Sequence, residues 1–175
     1  MEPSRHVVFS HGQKSGPWGR KISSLAAVAR AEGYAAHSID YQGLDEPAER
    51  VARLVAACQA LRGELVLVGS SMGAYVSAAA AALLHARGLF LMAPAIYVDG
   101  IPALPVGAVD CPTAVVHGWA DEIVPVEHSI RFASEHHAAL HILDTDHGLH
   151  SQIRMVKVQF EYFLIGLDLP RLKNL

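Results

Sequence analysis

The sequence predicts an α/β fold: a three-layer, doubly wound sandwich of about six parallel strands with helices on both faces. Three observations lead there. Short, unbroken apolar runs such as Leu65–Val68 suit strands buried on both faces of a parallel sheet. Longer stretches with apolar residues three and four apart alternate with these runs, which is the pattern of βαβ units joined by right-handed crossovers. The residues able to carry chemistry fall just after the runs, at the carboxyl ends of strands, where open α/β sheets place their sites.

The elements follow in order along the chain. His6–Ser10 is the first strand, with Val7, Val8 and Phe9 as its apolar core. After the glycine-rich loop His11–Gly19, Trp18 to Glu32 reads as a helix with Ile22, Leu25, Ala26 and Ala29 on one face, ended by Gly33. Ala35–Asp40 is the second strand; it is less apolar, as an edge strand would be. Asp45 is placed to cap a helix with Pro47 in its first turn and Val51, Leu54, Val55, Cys58 and Leu61 along one face. Glu64–Gly73 holds the third strand and a glycine turn, and an alanine-rich helix runs on to Ala86. Leu89–Ala93 is the fourth strand. The long connection Pro94–Asp110 has no helical or strand pattern and is the only stretch long enough to cover a pocket. Thr113–His117 is the fifth strand. The helix Pro125–His137 faces inward with Ile130 and Ala133 or Phe132. Leu140–Leu143 is the sixth strand, and His150–Leu167 is a last helix with Ile153, Val156, Phe160, Phe163, Leu164 and Leu167 on its buried stripe.

Length and composition narrow the function classes. At 175 residues the chain suits one domain over 1–175, with a core of useful size. Hydrophobic residues at 51% and charged residues at 18% argue against disorder. The net charge of −3 and the lack of a lysine/arginine run speak against nucleic acid or an anionic membrane as partner. No apolar stretch is long enough to span a bilayer, and the amino terminus lacks the core of a signal peptide. Two cysteines, Cys58 and Cys111, with no C-x-x-C, form neither a disulfide framework nor a zinc motif and fit a cytoplasmic setting. Nothing in the sequence indicates a homo-oligomer.

The stretch Gly69-Ser70-Ser71-Met72-Gly73 fits G-x-S-x-G between a strand and a helix, the context in which a serine hydroxyl is presented as a nucleophile. Ser71, not Ser70, has glycines at the correct offsets. A serine needs a base, and a base needs an orienting carboxylate. After the fifth strand comes His117-Gly118-Trp119-Ala120-Asp121, and after the sixth Asp146-His147-Gly148. Ser71, Asp121 and His147 supply nucleophile, acid and base; Glu122 and Asp144 compete with Asp121, and His150 with His147. Asp121 could instead be an amino cap of the helix near Pro125. His11 and His117 read as turn-shaping residues. The cluster Asp144, Asp146, His147 and His150 and the pair His136-His137 invite a metal, but no H-E-x-x-H or cysteine–histidine set is present, so no metal site is expected. Nor does a G-x-G-x-x-G follow the first strand.

Together the Gly-Ser-Ser-Met-Gly turn, the His-Gly-x-x-Asp-x-x-Val-Pro segment and the late Asp-His-Gly resemble the α/β-hydrolase superfamily, and most closely its small lidless bacterial serine esterases. The resemblance runs from the first His-Gly to the last helix. It implies a minimal version of that fold, lacking two antiparallel amino-terminal strands and any large lid. It also implies an oxyanion hole. One donor is the backbone N–H of Met72, next to the nucleophile; by resemblance the other is the backbone N–H of Gln13. Trp18, Tyr97 and Trp119 are candidates to line the pocket. The activity expected is hydrolysis of a small-molecule carboxylic ester, short-chain or activated, without cofactor. A thioesterase or protein deacylase would use the same residues, and a non-catalytic binding module could keep the same fold.

Overall fold

The computed structural model describes residues 4–169. Six strands form one parallel sheet in the order β2-β1-β3-β4-β5-β6. They are β1 (Arg5–Ser10), β2 (Ala35–Ile39), β3 (Glu64–Ser70), β4 (Gly88–Met92), β5 (Thr113–Gly118) and β6 (Ala139–Leu143). The helices are α1 (Arg20–Ala31), α2 (Pro47–Cys58), α3 (Met72–Ala80), α4 (Val126–His136) and α5 (Ile153–Asp168), the last preceded by a 3₁₀ turn at His150–Gln152.

The apolar runs are unbroken because both sheet faces are covered. In β3, Leu65 and Leu67 enter one core with Leu54 of α2, Val76 of α3 and Phe132 of α4. Val66 and Val68, the alternate residues, enter the other with Leu25 of α1 and Phe160 of α5. Successive side chains point to opposite faces, so a strand buried on both sides shows no alternation. Strand β2, the less apolar one, is half-buried throughout and sits at the sheet edge. Phe160 anchors the second core edge-on to Phe9 and Phe90, with ring centroids 6.3 and 5.0 Å apart.

Four expectations require correction. Asp45 does not cap α2: Glu46 occupies the cap position and no side chain bonds the helix start. The buried stripe of α2 is Pro47, Arg50, Leu54 and Cys58, with Val51, Val55 and Leu61 only partly covered. The alanine helix stops at Ala80, not Ala86, because the Ala82 N–H donates to the Ala108 carbonyl of the long connection instead of continuing the ladder. In α4, Ile130 is 42% exposed, while Ser129, Phe132 and Ala133 turn inward. That rotation is fixed by Ser129, which bonds a buried histidine at the end of β5.

The strand order reverses at β1, whose neighbours are β2 on one side and β3 on the other. Ser10 pairs with Gly69. The chain therefore leaves β1 and β3 side by side and departs to opposite faces, opening a crevice at their carboxyl ends.

Candidate active site

Ser71 sits between β3 and α3 with φ 56° and ψ −121°, a conformation that L-residues avoid and that costs of order 1–3 kcal/mol. The turn around it is held from several sides. The Ser71 N–H donates to the Met92 carbonyl at 2.9 Å, and the Ser71 carbonyl accepts from the N–H of Ala74 and of Ala95. The flanking glycines are required by contact. A Cβ at Gly69 would lie 2.3 Å from the Gly73 carbonyl oxygen, and one at Gly73 would lie 2.0 Å from that of Ser10. The Ser71 hydroxyl, without a hydrogen-bond partner among the described residues, stands in a cleft of about 400 Å³ that His147 also lines.

Loops after β5 and β6 are zipped together by main-chain bonds from Trp119 N–H to Leu143 and from Ala120 N–H to Thr145. Gly118 permits this, since a Cβ there would meet the Thr145 carbonyl oxygen at 2.2 Å. The zipper brings Asp121 against His147: Nδ1–H of His147 donates to Asp121 Oδ2 at 2.7 Å. His147 Nε2 is thereby left as the free nitrogen of the ring. Asp121 Oδ1 accepts from the N–H groups of Ile123 and Val124, both at 2.9 Å. The residue therefore shapes the turn into α4 and orients the histidine at once. Glu122, Asp144 and His150 are exposed, and neither acid contacts His147. His150 lines the cleft.

His117 completes the arrangement. It is fully buried, and its Nε2–H is shared between Asp121 Oδ2 at 2.9 Å and the Val124 carbonyl at 3.0 Å. Its Nδ1 accepts from the Ser129 hydroxyl at 2.6 Å. Burial lowers the His117 pKa, only partly offset by the Val124 carbonyl and Asp121, so the ring is neutral and acts as a donor. Burial pushes the Asp121 pKa up, but the Val124 N–H, His147 and the Ile123 N–H outweigh it and hold the carboxyl below its usual value. A carboxylate with a fully buried side chain and four donors stays charged beside the imidazole.

On the β1 side, a Cβ at Gly12 would lie 3.4 Å from Ser71 Cβ, so the His11–Gln13 turn packs directly on the serine. Gln13 lines the cleft. Met72 is buried in the first turn of α3, where N–H groups have no acceptor within the helix. Among the described residues no main-chain carbonyl takes the N–H of either residue. His11 shapes its turn: Nδ1–H donates to the Gly12 carbonyl and Nε2 accepts from the Tyr41 N–H. Arg50, buried on the stripe of α2, donates to the carbonyls of Leu44, His11 and Gly12 and stacks on Tyr41.

The three aromatic candidates for the pocket lie elsewhere. Trp18 and Trp119 are 48% and 61% exposed, Tyr97 bonds Glu135 and packs on Arg131, and none lines the cleft. Its walls are His11–Gly16, Gly19–Ile22, the Ser70–Ser71 turn, Ile123, His147 and His150. No residue of the 94–110 connection lines it; Ile96, Ile101, Leu104 and Val109 pack instead against the core on the α2–α3 face. Arg50 was detectable in sequence as a charge at i+3 and i−4 from buried apolar positions; His117 was detectable as a histidine ending an otherwise apolar strand. Lys21 and Ile123 carried no such signal. Among the described residues no three His, Cys, Asp or Glu side chains converge as a ligand set.

A model of the alpha/beta hydrolase family matches residues 7–161. Among solved structures, one assigned to the alpha/beta superfamily of hydrolases, from Xanthomonas campestris, is 31% identical, with a TM-score of 0.86 over 94% of this chain and 99% of that one. A serine hydrolase without a lid, also from Xanthomonas campestris, is 22% identical, with a TM-score of 0.75 over 94% of this chain and 82% of that one. Est1E from Butyrivibrio proteoclasticus is 18% identical, with a TM-score of 0.80 over 94% and 89%. No curated protein matches.

Proposed function

The chain belongs to the alpha/beta hydrolase family, and from that premise we propose that it is a serine hydrolase acting on carboxylic esters through an acyl-enzyme on Ser71. One observation carries the reading: His147 is bonded through Nδ1 to a fully buried carboxylate and shares a cleft with a serine held at φ 56°.

In this mechanism His147 Nε2 takes the proton of Ser71 as Oγ attacks the ester carbonyl. Asp121 stabilises the imidazolium that forms. The N–H groups of Met72 and Gln13 receive the negative charge that develops on the carbonyl oxygen. Collapse of the tetrahedral adduct breaks the bond to the alcohol, which leaves with the proton from His147. Water, deprotonated by the same nitrogen, then releases the acid and restores Ser71. The cleft of about 400 Å³, with Ile123 as its apolar wall, suits a short acyl chain. Free thiols at Cys58 and Cys111 support a reducing, cytoplasmic setting. No helix among the described residues is long and apolar enough to cross a membrane.

The test is labelling with a serine-reactive fluorophosphonate together with turnover of para-nitrophenyl esters of graded acyl length. Wild type should label and turn over short esters. Ser71→Ala should lose labelling, and its kcat should fall by about 10³-fold or more. Equal labelling of the two proteins would overturn the assignment.

A further inference from the structure

The charge of the cleft does not match that of the molecule. The chain carries a formal net charge of −3, yet among the described residues the cleft beside Ser71 is lined by Lys14, Arg20 and Lys21 and by no aspartate or glutamate. Four arginines outside the cleft are committed: Arg5 and Arg87 pair with Glu64 and Asp168, Arg131 with Glu135, and Arg50 holds main-chain carbonyls. No ion pair or side-chain hydrogen bond joins Lys14, Arg20 or Lys21 to another described residue, and each faces the same space as Ser71 and His147.

Lys21 is the most informative of the three. It lies in the first turn of α1, between the exposed Arg20 and the buried Ile22, and is itself only half-exposed. Burial lowers its pKa to about 8, with Asp121 and Asp146 pulling the other way. Neither carboxylate forms a hydrogen bond or ion pair with it. The Asp121 side chain is fully buried and already takes four donors. Asp146 is exposed and accepts the Gly148 N–H. Lys21 is thus a cation stripped of part of its water and given no partner. A neutral ester would leave it so, whereas an anion entering the cleft would restore what burial removed. Arg20 and Lys14 add charge of the same sign at the mouth, where concave walls concentrate the field.

We propose that the ester hydrolysed at Ser71 carries a negatively charged group, a carboxylate or a phosphate, held by Lys21 with Arg20 and Lys14. The inference rests on the hydrolase reading of Ser71, Asp121 and His147 and adds a substrate class to it. The charged group is away from the reacting carbonyl, so its binding energy is present before and during reaction. It should therefore act mainly on KM.

The experiment compares ester pairs that differ in one charged group. Para-nitrophenyl hemisuccinate against para-nitrophenyl pentanoate places the charge on the acyl side. Para-acetoxybenzoate against its methyl ester places a carboxylate on the leaving side, and para-acetoxyphenyl phosphate against phenyl acetate places a phosphate there. Wild type should favour the charged member of at least one pair by about tenfold in kcat/KM, chiefly through KM, and the preference should shrink from about 0.05 to about 0.5 M NaCl. Lys21→Met should remove most of that preference, and Arg20→Glu, at an exposed position the fold does not depend on, should weaken or invert it. Lys157→Met makes the same change in net charge outside the cleft and should keep the preference. If every neutral ester is turned over as well as its charged partner in a Ser71-dependent reaction, the inference fails while the hydrolase reading stands. If no ester is turned over at all, the hydrolase reading fails; calorimetric binding of the same intact esters to Ser71→Ala protein then decides the charge question, with equal affinities overturning it.

Discussion

At Asp121 one carboxylate oxygen is spent on the chain and the other on two histidines. Oδ1 closes the turn into α4 through Ile123 and Val124, while Oδ2 takes both His147 and His117. His117 cannot act as a base there. Its Nε2–H is engaged by two oxygens and its Nδ1 by the Ser129 hydroxyl, which leaves no lone pair facing the cleft. Its work is to hold Asp121 in line with His147. A hydrogen bond to a charged group contributes about 1.5–3 kcal/mol, and part of that is felt only once the imidazolium has formed opposite Asp121. His117→Phe is therefore expected to lower kcat by about tenfold with KM for a small neutral ester little changed. Ser129→Ala, which frees the ring without removing it, should do less. Steady-state kinetics on both variants checks this, and a His117→Phe enzyme with wild-type kcat would refute the positioning role. Arg50 works in the same indirect way on the other wall of the cleft, gripping the carbonyls of His11 and Gly12 that precede the Gln13 N–H.

The elements meet at glycines, and these set how close the turns that carry Ser71, Asp121 and His147 can come. Gly73 lets α3 start against the end of β1, and Gly118 lets the β5 and β6 loops zip. An alanine at 73 would place a methyl group 2.0 Å from the Ser10 carbonyl oxygen, which is main chain and cannot swing away. Gly73→Ala should cost at least about 3 kcal/mol or prevent folding. Gly166, exposed in α5 with open space around it, is the contrasting case: Gly166→Ala should stabilise by about 0.5–1 kcal/mol through helix propensity. Urea unfolding midpoints decide both, and a Gly73→Ala protein with the wild-type midpoint would remove the steric argument. These contacts also explain what could be read from sequence. Strand positions, the stripe of α5 and the placing of Ser71, Asp121 and His147 after strands were legible because apolar period and turn glycines are local signals. The stop of α3 at Ala80 was not, since it depends on the Ala108 carbonyl 26 residues downstream of Ala82. Nor was the outward Ile130, because helix rotation follows from Ser129 bonding His117 on another element. The pocket walls were missed for the same reason. Aromatic side chains were plausible from composition, but the crevice at the β1–β3 switch is walled by whichever residues leave those two strands and open α1.

Across the whole molecule, charge is sorted by end. At the amino ends of the strands Arg5 and Arg87 share Glu64 and Asp168, with contacts as short as 2.6 Å, tying β1 and β3 to the end of α5. At the carboxyl ends stand the unpaired cations of the cleft and the fully buried His11 and His117. Four histidines, His11, His37, His117 and His141, have lowered pKa values, and in each burial is the leading cause. His11 and His117 are fully buried and used as neutral rings in specific tautomers; His37 and His141 are half-covered. Because the folded pKa lies below the unfolded one, the unfolded chain binds more protons as pH falls below about 6.5. Stability is therefore full above that pH and is lost as pH drops through the folded values. Each fully buried histidine contributes a slope of up to about 1.4 kcal/mol per pH unit, and the two half-covered ones less because solvent screens them. Asp121, also lowered, acts with the same sign but in the more acidic carboxylate range. Unfolding free energy should thus fall between about pH 7.5 and about pH 5.5, by at most about 1.4 kcal/mol for each of the two fully buried rings. The loss should be smaller in His117→Phe, which has one fewer buried ring to protonate. Denaturant titrations at the two pH values measure it directly. A wild-type protein equally stable at both would mean that these rings are not held neutral by the fold, and the neutral tautomer of His117, with Nδ1 accepting from the Ser129 hydroxyl, would have to be withdrawn with them.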